Sequence, residues 1–387
     1  MRAYNLLNER WDDVALKASE GRATRHPASR PGDLGQETAG WLVSPGFIDI
    51  QVNGVGSVDF NAPDLTVAGI RQAVDQFVSE GVVRFCPTLI TAPTAQIDQI
   101  VTVFRQAWES DPRVDQAIWG LHLEGPYLSD LDGPRGAHAR EWIRDPRWDE
   151  FQGWQRTAGG RIRLITVAPE RPGMVEFIRQ ATASGVVVAL GHHAATTDQI
   201  GQAVAAGARL TTHFGNGTHA ELPRHPNYLW DQLAHPQLAL SVIGDGIHLP
   251  ASVLQVVFRS KPDQVVLISD RVAEPTWSAT GSATAIGQPV LVDSGRVALA
   301  ASPGLLAGAL TPFNVALART ASVLGRCPSV IAAATQSPAR ILGLDRRDLA
   351  RDWVMFRWTD KEAKIHCVVR DQEIIYLGDD PELMEKP

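Results

Sequence analysis

Gly120-Leu-His-Leu-Glu-Gly-Pro126 belongs to an apolar run, begun at Ala117, that halts at a carboxylate, a glycine and a proline. The pattern predicts a buried strand that ends by presenting Glu124, with the breakers opening a loop. A buried carboxylate without a positive partner costs several kcal/mol, so a cationic group is expected to meet it. Similar apolar runs recur on either side, at 46–52, 82–90, 117–123, 162–167, 186–190, 210–214, 238–243 and 265–268. Between them, 66–80, 94–108, 173–184 and 196–206 can be helical. The last opens with Thr196-Thr197-Asp198-Gln199, a cap signal. Strands alternating with helices predict parallel βαβ units, and eight of them predict an α/β fold of the (β/α)8 TIM-barrel type. Such a barrel takes about 250 residues. The rhythm here runs from Pro45 to about Leu344, so insertions are expected at 141–160 and 274–304.

The two ends have a different texture. Residues 1–45 look irregular, with a Pro-, Gly- and Arg-rich loop at 22–38. Beyond Leu344, 353–358, 365–370 and 373–377 read as short strands, the last two joined by a turn at Asp371-Gln372. Both ends are expected to pair into one small β-sandwich-like domain. The expected division is 1–45 and 345–387 for that domain and 46–344 for the barrel.

The 387 residues are 44% apolar and 20% charged, enough to bury a large core. A net charge of −7 argues against nucleic acid or an anionic membrane as partner. Cys86, Cys327 and Cys367 lie far apart and form neither a disulfide framework nor a thiolate metal motif. With no signal-peptide pattern and no apolar stretch of about 20 residues, a cytoplasmic protein is expected.

Catalytic groups of such barrels sit where strands end. The first run ends in Asp49-Ile-Gln51-Val-Asn53, the third at Glu124, the fifth at Gly191-His192-His193, the sixth at Thr212-His213, the seventh at Asp245-Gly-Ile-His248 and the eighth at Ser269-Asp270. One carboxylate and two imidazoles match a catalytic zinc site with an open position. The same donors suit iron or another divalent ion. A lone histidine is more often a satisfied core or surface group, but three such residues at separate strand ends weigh against that. His192 and His193 cannot both face the barrel axis, and spacing does not choose between them. Asp270 could act as general base and then general acid, or simply cap a helix or pair with Arg271.

Pro45-Gly-Phe-Ile-Asp-Ile-Gln-Val-Asn-Gly54, His122-Leu-Glu-Gly-Pro126, Gly191-His-His-Ala-Ala-Thr196, Thr212-His213, Asp245-Gly-Ile-His248 and Ser269-Asp270 together resemble the N-acetylglucosamine-6-phosphate deacetylases of the amidohydrolase superfamily. The resemblance implies a (β/α)8 barrel with a small β domain from both termini. It also implies one divalent ion held by Glu124, His192 and His213, which favours His192 over His193. It makes Asp270 the acid/base, His138 the group polarising the amide carbonyl, and Gln51 and Asn53 site residues where many amidohydrolases carry a His-x-His pair. Ala137, Asn216, Gly217, Arg224 and His248, with the backbone of Leu306, Ala307 and Gly308, would bind an amino-sugar phosphate. A homodimer is implied too. The chain departs from the family's pattern at His193, Arg271 and, mildly, Gly217, and 276–289 is unlike it.

The expected activity is hydrolysis of N-acetylglucosamine 6-phosphate to glucosamine 6-phosphate and acetate. The alternatives are deacetylation of N-acetylgalactosamine 6-phosphate or an unphosphorylated sugar, and a barrel kept for binding alone. A two-metal hydrolase of the dihydroorotase type is disfavoured by Gln51 and Asn53.

Overall fold

The structure, a computed structural model, describes residues 2–27, 40–278 and 282–379. Eight parallel strands form its centre: β1 (Phe47–Val52), β2 (Val82–Ile90), β3 (Leu121–Glu124), β4 (Ile162–Val167), β5 (Val187–Leu190), β6 (Leu210–Thr211), β7 (Ala239–Ile243) and β8 (Val265–Ile268). They pair in chain order from β1 to β8. The ring closes past the strand ends, where the Asp270 N–H donates to the Gln51 carbonyl (3.0 Å) and the Asn53 N–H to the Arg271 carbonyl (2.6 Å).

The alternation of side chains along each strand sorts the core. Leu121 and Leu123 pack outward against the helices, while Ile48, Ile50, Leu164, Val187, Ala189 and Val266 fill the barrel interior. The same alternation turns His122 and Glu124 inward on β3. His122 is locked there, its Nδ1 3.3 Å from Thr88 Oγ1 and its Nε2 2.7 Å from Thr166 Oγ1, and burial pushes its pKa down to about 4.

Helices Val67–Ser79, Thr94–Ser110, Met174–Ala183 and Thr197–Ala206 occupy the expected segments. The last starts in a capping box between Thr196 and Gln199. Two readings need correction. The segment 141–160 is no insertion: it carries the helix after β3, Trp148–Thr157, which buries Phe151 and Trp154. Ala117 ends a short helix, Pro112–Ala117, rather than beginning β3. Asp111 caps that helix and Pro112 fills its first turn, a signal that the apolar run at 117–123 masked. The insertion expected at 274–304 is present, and it is sheet. After β8 the chain builds a five-stranded antiparallel sheet from Thr276–Trp277, Ala283–Ala285, Gln288–Asp293, Arg296–Leu299 and Ser302–Ala309.

The first residues are more regular than their composition suggests. Arg2–Asn5, Arg10–Lys17, Arg22–Pro27 and Leu42–Pro45 are strands, and they join Trp353–Trp358, Ala363–Arg370 and Glu373–Leu377 in one sheet. Its seven strands close on themselves as a small β domain. Of the loop expected at 22–38, the first residues are therefore strand, and 28–38 lie outside the described residues. Among the described residues no helix is long and apolar enough to cross a membrane.

Candidate active site

Three strands deliver three donors to one point. Glu124 Oε1 lies 3.1 Å from His192 Nε2 and 2.9 Å from His213 Nε2, and the two imidazole nitrogens are 2.9 Å apart. All three residues are buried. His192 Nδ1 is 2.8 Å from the Pro134 carbonyl, which can only accept, so that nitrogen carries the proton. In the neutral ring Nε2 then offers a lone pair toward a carboxylate oxygen and a second imidazole. Glu124 Oε1 and His192 Nε2 are thus bare acceptors that only a proton on His213 Nε2 or a cation can reconcile, and one carboxylate oxygen with two imidazole nitrogens is a donor set that fits a divalent ion. His193 turns the other way, against Gln232 and the Tyr228 ring, and the Ala195 N–H donates to its Nδ1 (3.2 Å).

The backbone is strained at the site. His192, His213 and Asp270 have φ of 51°, 30° and 48°, in the left-handed region that non-glycine residues seldom enter. Such outliers gather where side-chain placement outweighs local comfort. Gly217 (φ 57°) and Gly136 (φ 58°) flank the His192 ring; a β-carbon on Gly217 would fall 2.6 Å from His192 Nδ1. Glycine at 217 is therefore a fitted residue, not the mild departure expected from sequence.

Asp270 faces the donor cluster and is tied to it through β1. Gln51 Nε2 donates to Glu124 Oε1 (3.1 Å) and to Asp270 Oδ1 (3.3 Å), and Asn53 Nδ2 donates to the same Asp270 oxygen (2.9 Å). The register of β1 against β2 shifts between Asp49 and Val52, next to Gln51. Burial, with the Glu124 charge adding to it, pushes the Asp270 pKa up to about 6. Burial also raises Glu124, but the His192 and His213 imidazoles against it outweigh burial and leave that carboxyl well below the ordinary range. For His213 burial lowers the pKa, and the bond to Glu124 overcomes it to give a net rise. His138 Nε2 lies 3.2 Å from His192 Nε2, and burial pushes the His138 pKa down to about 3.

Arg271 does not pair with Asp270. Its guanidinium binds Glu80 at the end of the first helix (2.6 Å), and the other Glu80 oxygen accepts the Phe313 N–H (3.2 Å).

A cleft of about 910 Å³ opens over these groups. Asn53, Glu124, His138, His192, His213 and Asp270 line its floor, and Ala137, Asn216, Gly217, His248, Leu306, Ala307 and Gly308 line it as well. His248 is held by Asp245, Nδ1 to Oδ2 at 2.7 Å. Arg224 is exposed and is not among the lining residues. Sequence reasoning missed the Pro134 carbonyl, for which backbone leaves no residue signal, and the bridging geometry of Gln51.

Barrel and site define the class: an amidohydrolase-type (β/α)8 hydrolase with a Glu/His/His site for a divalent ion at the C-terminal mouth. No family model matches the chain. It is 32% identical over 327 residues to the N-acetylglucosamine-6-phosphate deacetylase of Bos taurus, covering 82% of this chain and 78% of that one. It is 30% identical over 351 residues to the N-acetylgalactosamine-6-phosphate deacetylase of Escherichia coli O157:H7, covering 89% and 90%. The crystal structure of N-acetyl-D-glucosamine-6-phosphate deacetylase from Mycobacterium smegmatis superposes with a TM-score of 0.82 at 26% identity, covering 97% of this chain and 99% of that one. A mutant of the same protein, in complex with N-acetyl-D-glucosamine-6-phosphate, gives 0.76 at 26% identity over 91% and 92%. The chain belongs to the N-acetylglucosamine-6-phosphate deacetylase family.

Proposed function

We propose that the protein hydrolyses the acetamide of N-acetylglucosamine 6-phosphate, giving glucosamine 6-phosphate and acetate. The observation that carries this reading is the convergence of Glu124 Oε1, His192 Nε2 and His213 Nε2 within 3.1 Å of one another, opposite Asp270. A divalent ion held by these three side chains supplies Lewis-acid chemistry, acidifying water and polarising a carbonyl.

Asp270 takes the proton of the attacking water and delivers it to the departing amine. Gln51 and Asn53 hold the carboxylate in place for both transfers, and their amide donors favour its ionised form. His138, neutral and buried beside His192, can donate a hydrogen bond to the amide oxygen as charge develops there. Asn216, Gly217 and His248, with the backbone of Ala137 and Leu306 to Gly308, are proposed to cradle the sugar. Arg224, exposed outside the cleft, is not retained as a ligand within a single chain.

Zinc is proposed as the ion, because one carboxylate and two imidazoles with an open position are its catalytic ligand count. The cytoplasm is proposed as the compartment, supported by three free cysteines. A homodimer is proposed as the assembly, supported by the exposed Trp142, Trp230 and Trp277 and read by light scattering.

A second reading, N-acetylgalactosamine 6-phosphate as substrate, is favoured by the longer stretch shared with the Escherichia coli protein. Elemental analysis coupled to acetate release from N-acetylglucosamine, its 6-phosphate and N-acetylgalactosamine 6-phosphate separates the readings. No acetate from any of them would refute both.

A further inference from the structure

β8 ends at Ile268, so Asp270 stands past the parallel ladder, with φ of 48°. A residue in left-handed backbone keeps that conformation only where its surroundings hold it. Here the Asp270 N–H donates to the Gln51 carbonyl, and its own carbonyl accepts the Ala309 N–H (3.0 Å each). The following carbonyl, that of Arg271, accepts the Asn53 N–H (2.6 Å) and the Gly54 N–H (3.1 Å). Asn53 also donates from its side chain to Asp270 Oδ1 (2.9 Å). The Arg271 peptide therefore governs the carboxylate and, through Asn53, one of the donors that hold it.

The Arg271 side chain ties this peptide to the outer layer of the barrel. It is buried, and Glu80, buried as well, meets its Nη1 at 2.6 Å. Glu80 closes the C-terminal end of helix Val67–Ser79. Its second oxygen accepts the N–H of Phe313, the first residue of helix Phe313–Leu324 (3.2 Å). A carboxylate is favoured at the positive end of a helix, so Glu80 is anchored independently of Arg271. The ion pair thus fastens the backbone next to Asp270 to two helices at once. Position 271 is one where the chain departs from the family's pattern, so this anchor is a feature of the chain itself.

We propose that Arg271, through its buried pair with Glu80, is a positioning residue that fixes the backbone aiming Asp270 at the reacting amide. This rests on the deacetylase reading above, in which Asp270 carries the proton. Misplacing such a group by about 1 Å costs about 100-fold in rate.

Arg271→Met alone would strand the Glu80 charge in the interior and weaken the fold. The informative enzyme is therefore the double variant Arg271→Met/Glu80→Gln, whose amide still accepts the Phe313 N–H and which buries no lone charge. It is compared, loaded with zinc, with wild type and Arg271→Lys. Zinc content, urea midpoint, and kcat and KM for acetate release from N-acetylglucosamine 6-phosphate are measured, and the double variant is crystallised. The double variant is expected to keep its zinc, a midpoint near that of wild type and KM within about twofold, while kcat falls about 10- to 100-fold. In its crystal structure the contact between Asp270 Oδ1 and Asn53 Nδ2 should be lengthened from 2.9 Å. Arg271→Lys keeps a charge opposite Glu80 and should recover part of kcat. Wild-type kcat in the double variant, with the Asp270 contact intact, would overturn the proposal. So would a fall in kcat matched by loss of zinc or of folded protein, which would make the pair structural only. A wild-type enzyme that releases no acetate from any of the three sugars would overturn the proposed activity, and the position of Asp270 in the variant crystal would then decide the role of Arg271.

Discussion

At the residue scale the site depends on a proton whose place is fixed by backbone. The Pro134 carbonyl holds the hydrogen on His192 Nδ1, so Nε2 is the free lone pair, and Gly217 leaves just enough room for the ring. Gly217→Ala is expected to push that ring away and to add the cost of alanine at φ 57°, about 1 kcal/mol. The measurable outcome is an ion bound at least several-fold more weakly, read by competition with a chelator; unchanged affinity would contradict the fit described here. Asp270→Asn removes the proton acceptor but keeps the shape. It should retain its ion in elemental analysis and lose about 10²- to 10⁴-fold in kcat. A variant with near-normal turnover would remove Asp270 from the acid/base role.

At the scale of elements, β1 and β8 are clasped just below the site. Asp49 accepts the N–H groups of Gln51 and Ser269 (3.3 Å each) and the Ser269 hydroxyl. Burial nevertheless pushes its pKa up to about 7. A carboxyl raised in the folded state binds its proton more tightly there than in the unfolded chain, where it titrates near 4. Below about pH 4 both states are protonated. As pH rises from about 4 to about 7 the unfolded chain gives up its proton first, so this group takes stability away across that window. In Asp49→Asn that slope is absent. Wild type should therefore lose on the order of 3 kcal/mol relative to the variant between the two ends of the window, measured by urea unfolding at several pH values. Parallel pH profiles for the two proteins would show that Asp49 is ionised throughout. The inserted sheet is the other element that matters, since its last strand hydrogen-bonds the Asp270 backbone.

At the scale of the whole molecule, the small β domain is fastened to the barrel by a buried polar cluster. Asp352 binds Arg84 (3.1 Å) and lies 3.8 Å from Arg370, whose guanidinium also donates to the Val83 carbonyl (2.6 Å) and to Gln116 (3.3 Å). Removing one member of a buried charge cluster is costly because the others stay buried. Arg370→Met should destabilise by about 3 kcal/mol, toward the low end for such pairs because Arg84 still faces Asp352. The denaturant midpoint should fall while kcat below the transition stays at the wild-type value. A drop in kcat without loss of stability would mean that the cluster serves the site rather than the joint.

The barrel was legible in the sequence because hydrophobic periodicity is local: each strand and helix announces itself within about a dozen residues. The donor types were legible for the same reason, since Glu124, the 192–193 pair, His213 and Asp270 each stand at or near the end of an apolar run. The inserted sheet was hidden because its strands, such as Gln288–Asp293, are half-exposed and weakly patterned. The helix Pro112–Ala117 was hidden by the apolar run that follows it. Chain order alone thus determined a ring of eight strands and the chemical kinds of group at their ends. Which lone pairs meet, which of two adjacent histidines turns inward and how Gln51 spans two carboxylates were decided only by closure of the ring. Those relations join residues up to 219 positions apart, and nothing in a local run of sequence encodes a distance across the mouth of a barrel.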